Sequence, residues 1–189
     1  MEELLVIAAF IANAVGSGTE VVTYPAPPEE ALSDDYRVSV EGQQVDAYTA
    51  RTLDPPFAGK QWDFGGPYAF ANFDMCGRVV VSITSKRSLQ YVLIRPQSKG
   101  IQPSLEDDHT MKLTLEKPQK LSIEPDGKKG PLLLFANPLQ TDIPNPDDPG
   151  VIFFGPGLHK PEKIILQSNQ TLYLAGGAVV KAEVLAEIL

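Results

Sequence analysis

Hydrophobic and polar positions alternate with a period of two through most of this chain. Residues 37–40 read Arg-Val-Ser-Val, and residues 111–115 read Met-Lys-Leu-Thr-Leu. That period places every second side chain on one face of an extended strand. Strands are predicted at Tyr36–Val40, Gln44–Ala50, Tyr68–Phe73, Val79–Ile83, Tyr91–Arg95, Thr110–Leu115, Lys120–Ile123 and Pro131–Phe135, with one more short strand early in 19–30. Glu41-Gly42, Cys76-Gly77, Lys99-Gly100 and Asp126-Gly127 supply the turns between them. Short strands at near-regular spacing, with no long helical pattern, predict a β-sandwich. Its expected core is Val38, Val40, Val45, Phe70, Phe73, Val79, Val81, Ile83, Val92, Ile94, Leu113, Leu115, Leu121, Ile123, Leu132, Leu134 and Phe135.

The pattern changes after residue 138. Residues 139–150 are rich in proline and acidic side chains and read as a linker. From Val151 the strands become very short: Val151–Phe154, Lys163–Leu166 and Thr171–Leu174, with Ala178–Val180 starting another. Gly155, Pro156, Gly157, Gly176 and Gly177 punctuate them. Such closely spaced strands suit a single coil of a parallel β-helix over 151–181, and one coil cannot bury its own inner face.

Both ends read as short helices. Leu4, Ile7, Ala8, Ile11 and Val15 share one helical face, and Gly16-Ser17-Gly18 stops the run. The competing reading of residues 1–18 is a signal-like segment, although Glu2 and Glu3 stand where basic residues are expected. At the other end, residues 182–189 favour a helix with Val184, Leu185, Ile188 and Leu189 on one side. The expected fold is therefore all-β: a sandwich (19–138), then one coil, with helices covering the open ends.

Composition narrows the function. A net charge of −8 repels phosphate backbones, so no nucleic-acid partner is expected. The apolar run near the N-terminus is too short to span a bilayer, so no membrane partner is expected either. With Cys76 as the single cysteine, an internal disulfide and cysteine-based metal sites are ruled out, and no cofactor or metal is called for.

Candidate chemistry is sparse. Asp34-Asp35, Glu106-Asp107-Asp108 and Asp147-Asp148 are carboxylate clusters in polar stretches, where solvated surface is the default. His109 and His159 each lack a second histidine nearby and are read as turn or strand-end residues. The binding candidates are Trp62, Asp63, Phe64 and Tyr68, with Lys60 beside them. Aromatic rings can stack on the apolar faces of sugars while a carboxylate takes the hydroxyls. Packing of Trp62 on the sandwich or coil is the simpler reading of the same residues. Arg95 is expected to tie strand ends to an acidic neighbour.

Several motifs, in order, carry a resemblance: Tyr68–Asp74, the hairpin Gly77–Val81, Ile94–Ser98, Leu134–Pro138, and Phe154–His159 with Thr171–Val179. Over about residues 36–181 the chain resembles the N-terminal β-sandwich and first β-helix coil of pectin-lyase-fold glycoside hydrolases, polygalacturonase-like and dextranase-like. The resemblance implies a parent enzyme acting on a polysaccharide, secreted or periplasmic, whose catalytic aspartates lie on later coils. No catalytic residue is expected in this chain. The implied role is a noncatalytic accessory or capping module partnered by the downstream β-helix. A carbohydrate-binding module is the first alternative. The second is an active glycosidase, and the third is an engineered fragment whose terminal helices cap it or drive assembly; an apolar coil face would also favour a homo-oligomer.

Overall fold

The computed structural model describes residues 18–52, 66–127 and 129–186. The expected helix or signal-like segment before residue 18 lies outside them. Two sheets pack face to face. The first contains β1 (Glu20–Thr23), β4 (Ala47–Thr52), β5 (Gly66–Cys76), β7 (Leu93–Arg95), β10 (Gln119–Glu124) and β11 (Leu132–Pro138). The second contains β2 (Tyr36–Val40), β3 (Gln43–Val45), β6 (Val79–Ser85), β8 (Ser104–Leu105) and β9 (Thr110–Leu115).

β5 organises the first sheet. β4 pairs antiparallel with Gly66–Ala71 and β1 with Phe73–Cys76, while β11 runs parallel along the other edge. Alternation sends Ala69, Ala71, Phe73 and Met75 into the core and Tyr68, Phe70, Asn72 and Asp74 to the outer face. The inner faces meet in a continuous core that includes Val40, Phe73, Ile83, Leu113, Ile123 and Leu134, all buried. Most of the expected core residues are there. Phe70, Val92 and Phe135 are only half-buried, because Phe70 and Phe135 point outward and Val92 precedes β7. Alanines 47, 69, 71 and 136, along with Tyr36, Met75, Leu89 and Met111, complete the core.

The hairpin between β5 and β6 turns at Gly77 (φ 75°). A Cβ there would sit 1.9 Å from the Gly18 carbonyl oxygen, so the turn requires glycine twice over. At the far end of the sandwich, the Tyr36 hydroxyl donates to the Gly130 carbonyl at 2.7 Å. Arg87 lies on Gly130, where any Cβ would meet the guanidinium, and it bonds the Lys129 carbonyl.

Beyond a strand-free stretch at 139–150 the chain forms six short strands: β12 (Val151–Phe154), β13 (Gly157–His159), β14 (Lys163–Leu166), β15 (Thr171–Leu174), β16 (Ala178–Val180) and β17 (Glu183–Ala186). They pair in parallel as β12 with β15, β13 with β16 and β14 with β17. The register runs Val151 to Thr171, Gly157 to Ala178 and Lys163 to Glu183. This is two stacked rungs, and it corrects the single-coil expectation. It also corrects the C-terminal helix, since Glu183–Ala186 is a strand. Isolated helix preference is weak, whereas β14 offers a row of ladder partners in register. Only Ile164 is fully buried in this part; most of the other apolar side chains remain half-buried or exposed.

Candidate functional site

Several polar side chains are held where the sandwich meets the rungs. Tyr24 follows β1, and Pro25 prevents the ladder from continuing. The Tyr24 hydroxyl donates to Asp74 Oδ2 at 2.6 Å. Asp74 lies on the outer side of β5 and is buried, only 3% exposed. A buried carboxylate needs such a donor, since an unmet charge of this kind is costly. Burial first, then the Asp74 bond and its charge, push the Tyr24 phenol well above its ordinary range.

The ring of Tyr24 rests on the second rung. A Cβ on Gly176 would lie 2.0 Å from its Cε1, so the glycine is the recess that admits the ring. Gly177 (φ 81°) makes the adjoining turn, with its Cβ position 3.6 Å from the Tyr24 Cβ. Nearby, Lys181 Nζ meets Glu30 Oε1 at 2.7 Å, and the Glu30 side chain is only 12% exposed. Tyr173 on β15 bonds the Gln140 side chain and stacks on Phe153 of β12, ring centroids 5.2 Å apart. Thus the segment 24–30, the outer side of β5 and the second rung close on one another. Burial, with the Asp46 and Glu30 charges behind it, also raises the Tyr48 phenol. Asp46 in turn accepts the Ala26 N–H at 2.9 Å, fixing the path of 24–30.

Trp62, Asp63 and Phe64, and Lys60 with them, lie outside the described residues. Tyr68 is half-buried on the outer face of β5, its ring centroid 6.4 Å from that of Phe70. Phe70 stacks on the buried Tyr48 at 4.9 Å. Arg95 bonds Glu124 Oε2 through Nε at 3.0 Å, the strand-end tie expected of it. His109 faces the Ser85 carbonyl at 3.0 Å, and His159 faces the Gly155 carbonyl at 2.8 Å; both serve turns. Asp107 caps the His109 N–H, and that bond holds its carboxyl below the usual carboxylate range. Cys76 is exposed. Among the described residues, no three His, Cys, Asp or Glu side chains gather as metal ligands. Sequence reasoning missed Tyr24, Asp74, Glu30 and Lys181. The one local signal was Gly176-Gly177, adjacent glycines that admit close packing.

No protein-family model matches the chain, and no curated protein does either. Among solved structures the chain is similar to Dex49A from Penicillium minioluteum, with a TM-score of 0.56 and 20% identity. The likeness covers 88% of this chain and 47% of that one, so the chain spans about half the length of Dex49A. At this identity the likeness carries the fold alone.

Proposed function

We propose that this chain is a noncatalytic accessory module of a polysaccharide-degrading glycoside hydrolase, in which the β-sandwich caps and anchors the first rungs of a β-helix. The observation that carries the reading is the Tyr24 ring seated on Gly176 while its hydroxyl holds the buried Asp74. Rungs with one buried apolar residue gain little from their own interior. A neighbour that fixes their geometry supplies what a terminal repeat otherwise lacks. The carboxylates agree with a noncatalytic role. Residues 151–186 contain no aspartate, and their two glutamates, Glu162 and Glu183, are exposed. Among the described residues of the sandwich, the enclosed carboxylates Asp74, Glu124 and Glu30 are each held by a structural partner.

The test has two arms. Incubation with a panel of plant and microbial polysaccharides is expected to release no reducing ends. Gly176→Val, which displaces Tyr24, is expected to give concentration-dependent association by light scattering. Depolymerisation by the chain unaided, or unchanged scattering by the variant, would overturn the reading. A second reading, sugar binding by Trp62, Asp63, Phe64 and Tyr68, draws on the Tyr68–Phe70 cluster. Selective loss of glycan retention on Tyr68→Ala would support it.

A further inference from the structure

The outer face of the first sheet carries an ordered set of side chains away from the joint. Ladder register aligns Tyr48, Phe70, Leu133, Ser122 and Arg95 in one row across β4, β5, β11, β10 and β7. The next row holds Asn72, Phe135 and Lys120. Rows two residues apart along a strand are separated by about 7 Å, so Leu133 and Phe135 form a small floor one ring wide. Both are half-buried, and together with Arg95, Pro96, Gln97, Lys120 and Ser122 they line a shallow open depression of about 520 Å³.

The polar side of this depression is held in place. Glu124, 6% exposed, takes the Ser122 hydroxyl on Oε1 and the Arg95 Nε on Oε2, both at 3.0 Å. One buried carboxylate thereby locks two side chains at the edge of the floor. The Arg95 side chain stays 48% exposed. Lys120 is exposed and, among the described residues, forms no ion pair. Arg95 and Glu124 cancel in charge, so Lys120 leaves this donor-rich patch a single positive charge on an otherwise acidic protein. A long anionic polymer meets a net charge of −8 on approach, which opposes its binding.

We propose that this depression binds one unit of a neutral oligosaccharide. The C–H face of a pyranose covers Leu133 and Phe135, and its hydroxyls meet Arg95, Ser122 and Lys120. Hydroxyls both donate and accept, and side chains already fixed by Glu124 lose less freedom on binding. The proposal goes beyond the capping role and shares no residue with the joint.

The test is a two-dimensional 15N–1H NMR titration of the whole chain with α-1,6-, β-1,4- and β-1,3-linked glucose hexamers, and with a uronic acid oligomer as the anionic arm. Saturable shifts at the amides of 95, 97, 120–122 and 133–135 with a neutral hexamer are expected, with the Tyr24 and Gly176 amides unmoved. Phe135→Leu keeps an apolar core-compatible side chain but removes the ring, and should weaken binding about tenfold. Lys120→Ala, at an exposed site that leaves the fold intact, should weaken it about threefold. Absence of saturable shifts, equal binding by both variants, or preference for the uronic acid oligomer would overturn the proposal. None of these outcomes bears on the joint, which the scattering of Gly176→Val reads separately.

Discussion

The sandwich and the rungs are built from equally short strands, yet they solve the problem of burial differently. In the sandwich, two sheets turn alternating faces on each other, and residues such as Val40, Phe73 and Leu134 have no exposed surface at all. In the rungs, each strand pairs with only one neighbour, and Ile164 alone is enclosed. The first is an autonomous core. The second is a repeat whose interior is completed only by what stacks on it. The contrast explains why side chains of the sandwich reach across to hold the rungs: Tyr24 on Gly176, and Glu30 with Lys181.

The sharpest break of this comparison is a matched pair of truncations. Phe73→Ala should cost about 3–5 kcal/mol and lower the denaturant midpoint of the whole chain. Ile164→Ala should cost about 2 kcal/mol, because the half-open surroundings can relax, and its effect should stay within residues 151–186. Equal global losses from both would erase the distinction between the regions.

Next in size is Gly176→Val. The new side chain collides with the Tyr24 ring, and overpacking of this kind costs about 1–3 kcal/mol. Thermal unfolding followed separately by tyrosine signals of the joint and by amides of the core should show the joint failing first.

Tyr24→Phe keeps the ring on Gly176 and removes only the hydroxyl. It leaves Asp74 buried without its donor, at about 1–2 kcal/mol. The pH dependence has a definite sign. Tyr24 and Tyr36 both have raised phenol pKa values in the folded chain, Tyr36 to about 12, chiefly through burial. Their contributions are full below the unfolded value near 10. They are lost as pH rises through the folded values. Stability should therefore decline above about pH 10, and Tyr36→Phe should flatten part of that limb in equilibrium denaturation.

The smallest expected effect is Lys181→Ala. The lysine side chain is 55% exposed but the Glu30 side chain only 12%, so loss of the pair should cost about 1 kcal/mol, part of it screened by added salt. A larger, salt-insensitive loss would place more of the joint on this ion pair than its exposure allows.

The sandwich was legible because alternation is a local signal. Arg37–Val40 and Met111–Leu115 each display their buried face without reference to any partner, and both lie on strands of the second sheet. The outward ends of the pattern were misread at Phe70 and Phe135, where an apolar side chain occupies the open face. The second rung was written as a repeat of 20 to 21 residues, with Val151–Phe154 answered by Thr171–Leu174. Gly157 concealed one strand because a glycine beside Pro156 reads as a turn. Glu183–Ala186 concealed another because a four-residue run near a chain end has helix-favouring composition, and its strand state depends on β14. The joint was the least legible part. Tyr24 and Asp74 are 50 residues apart, and neither position carries a motif that marks it for the other.

The central claim is that the sandwich holds the rungs in place through Tyr24. Native-state amide hydrogen exchange on the wild-type chain and on Gly176→Val tests it most directly. The account predicts that the ladder amides of β14 to β17 lose protection in the variant while those of β5, β6 and β9 keep theirs. Rung amides as well protected in the variant as in the wild type would contradict it.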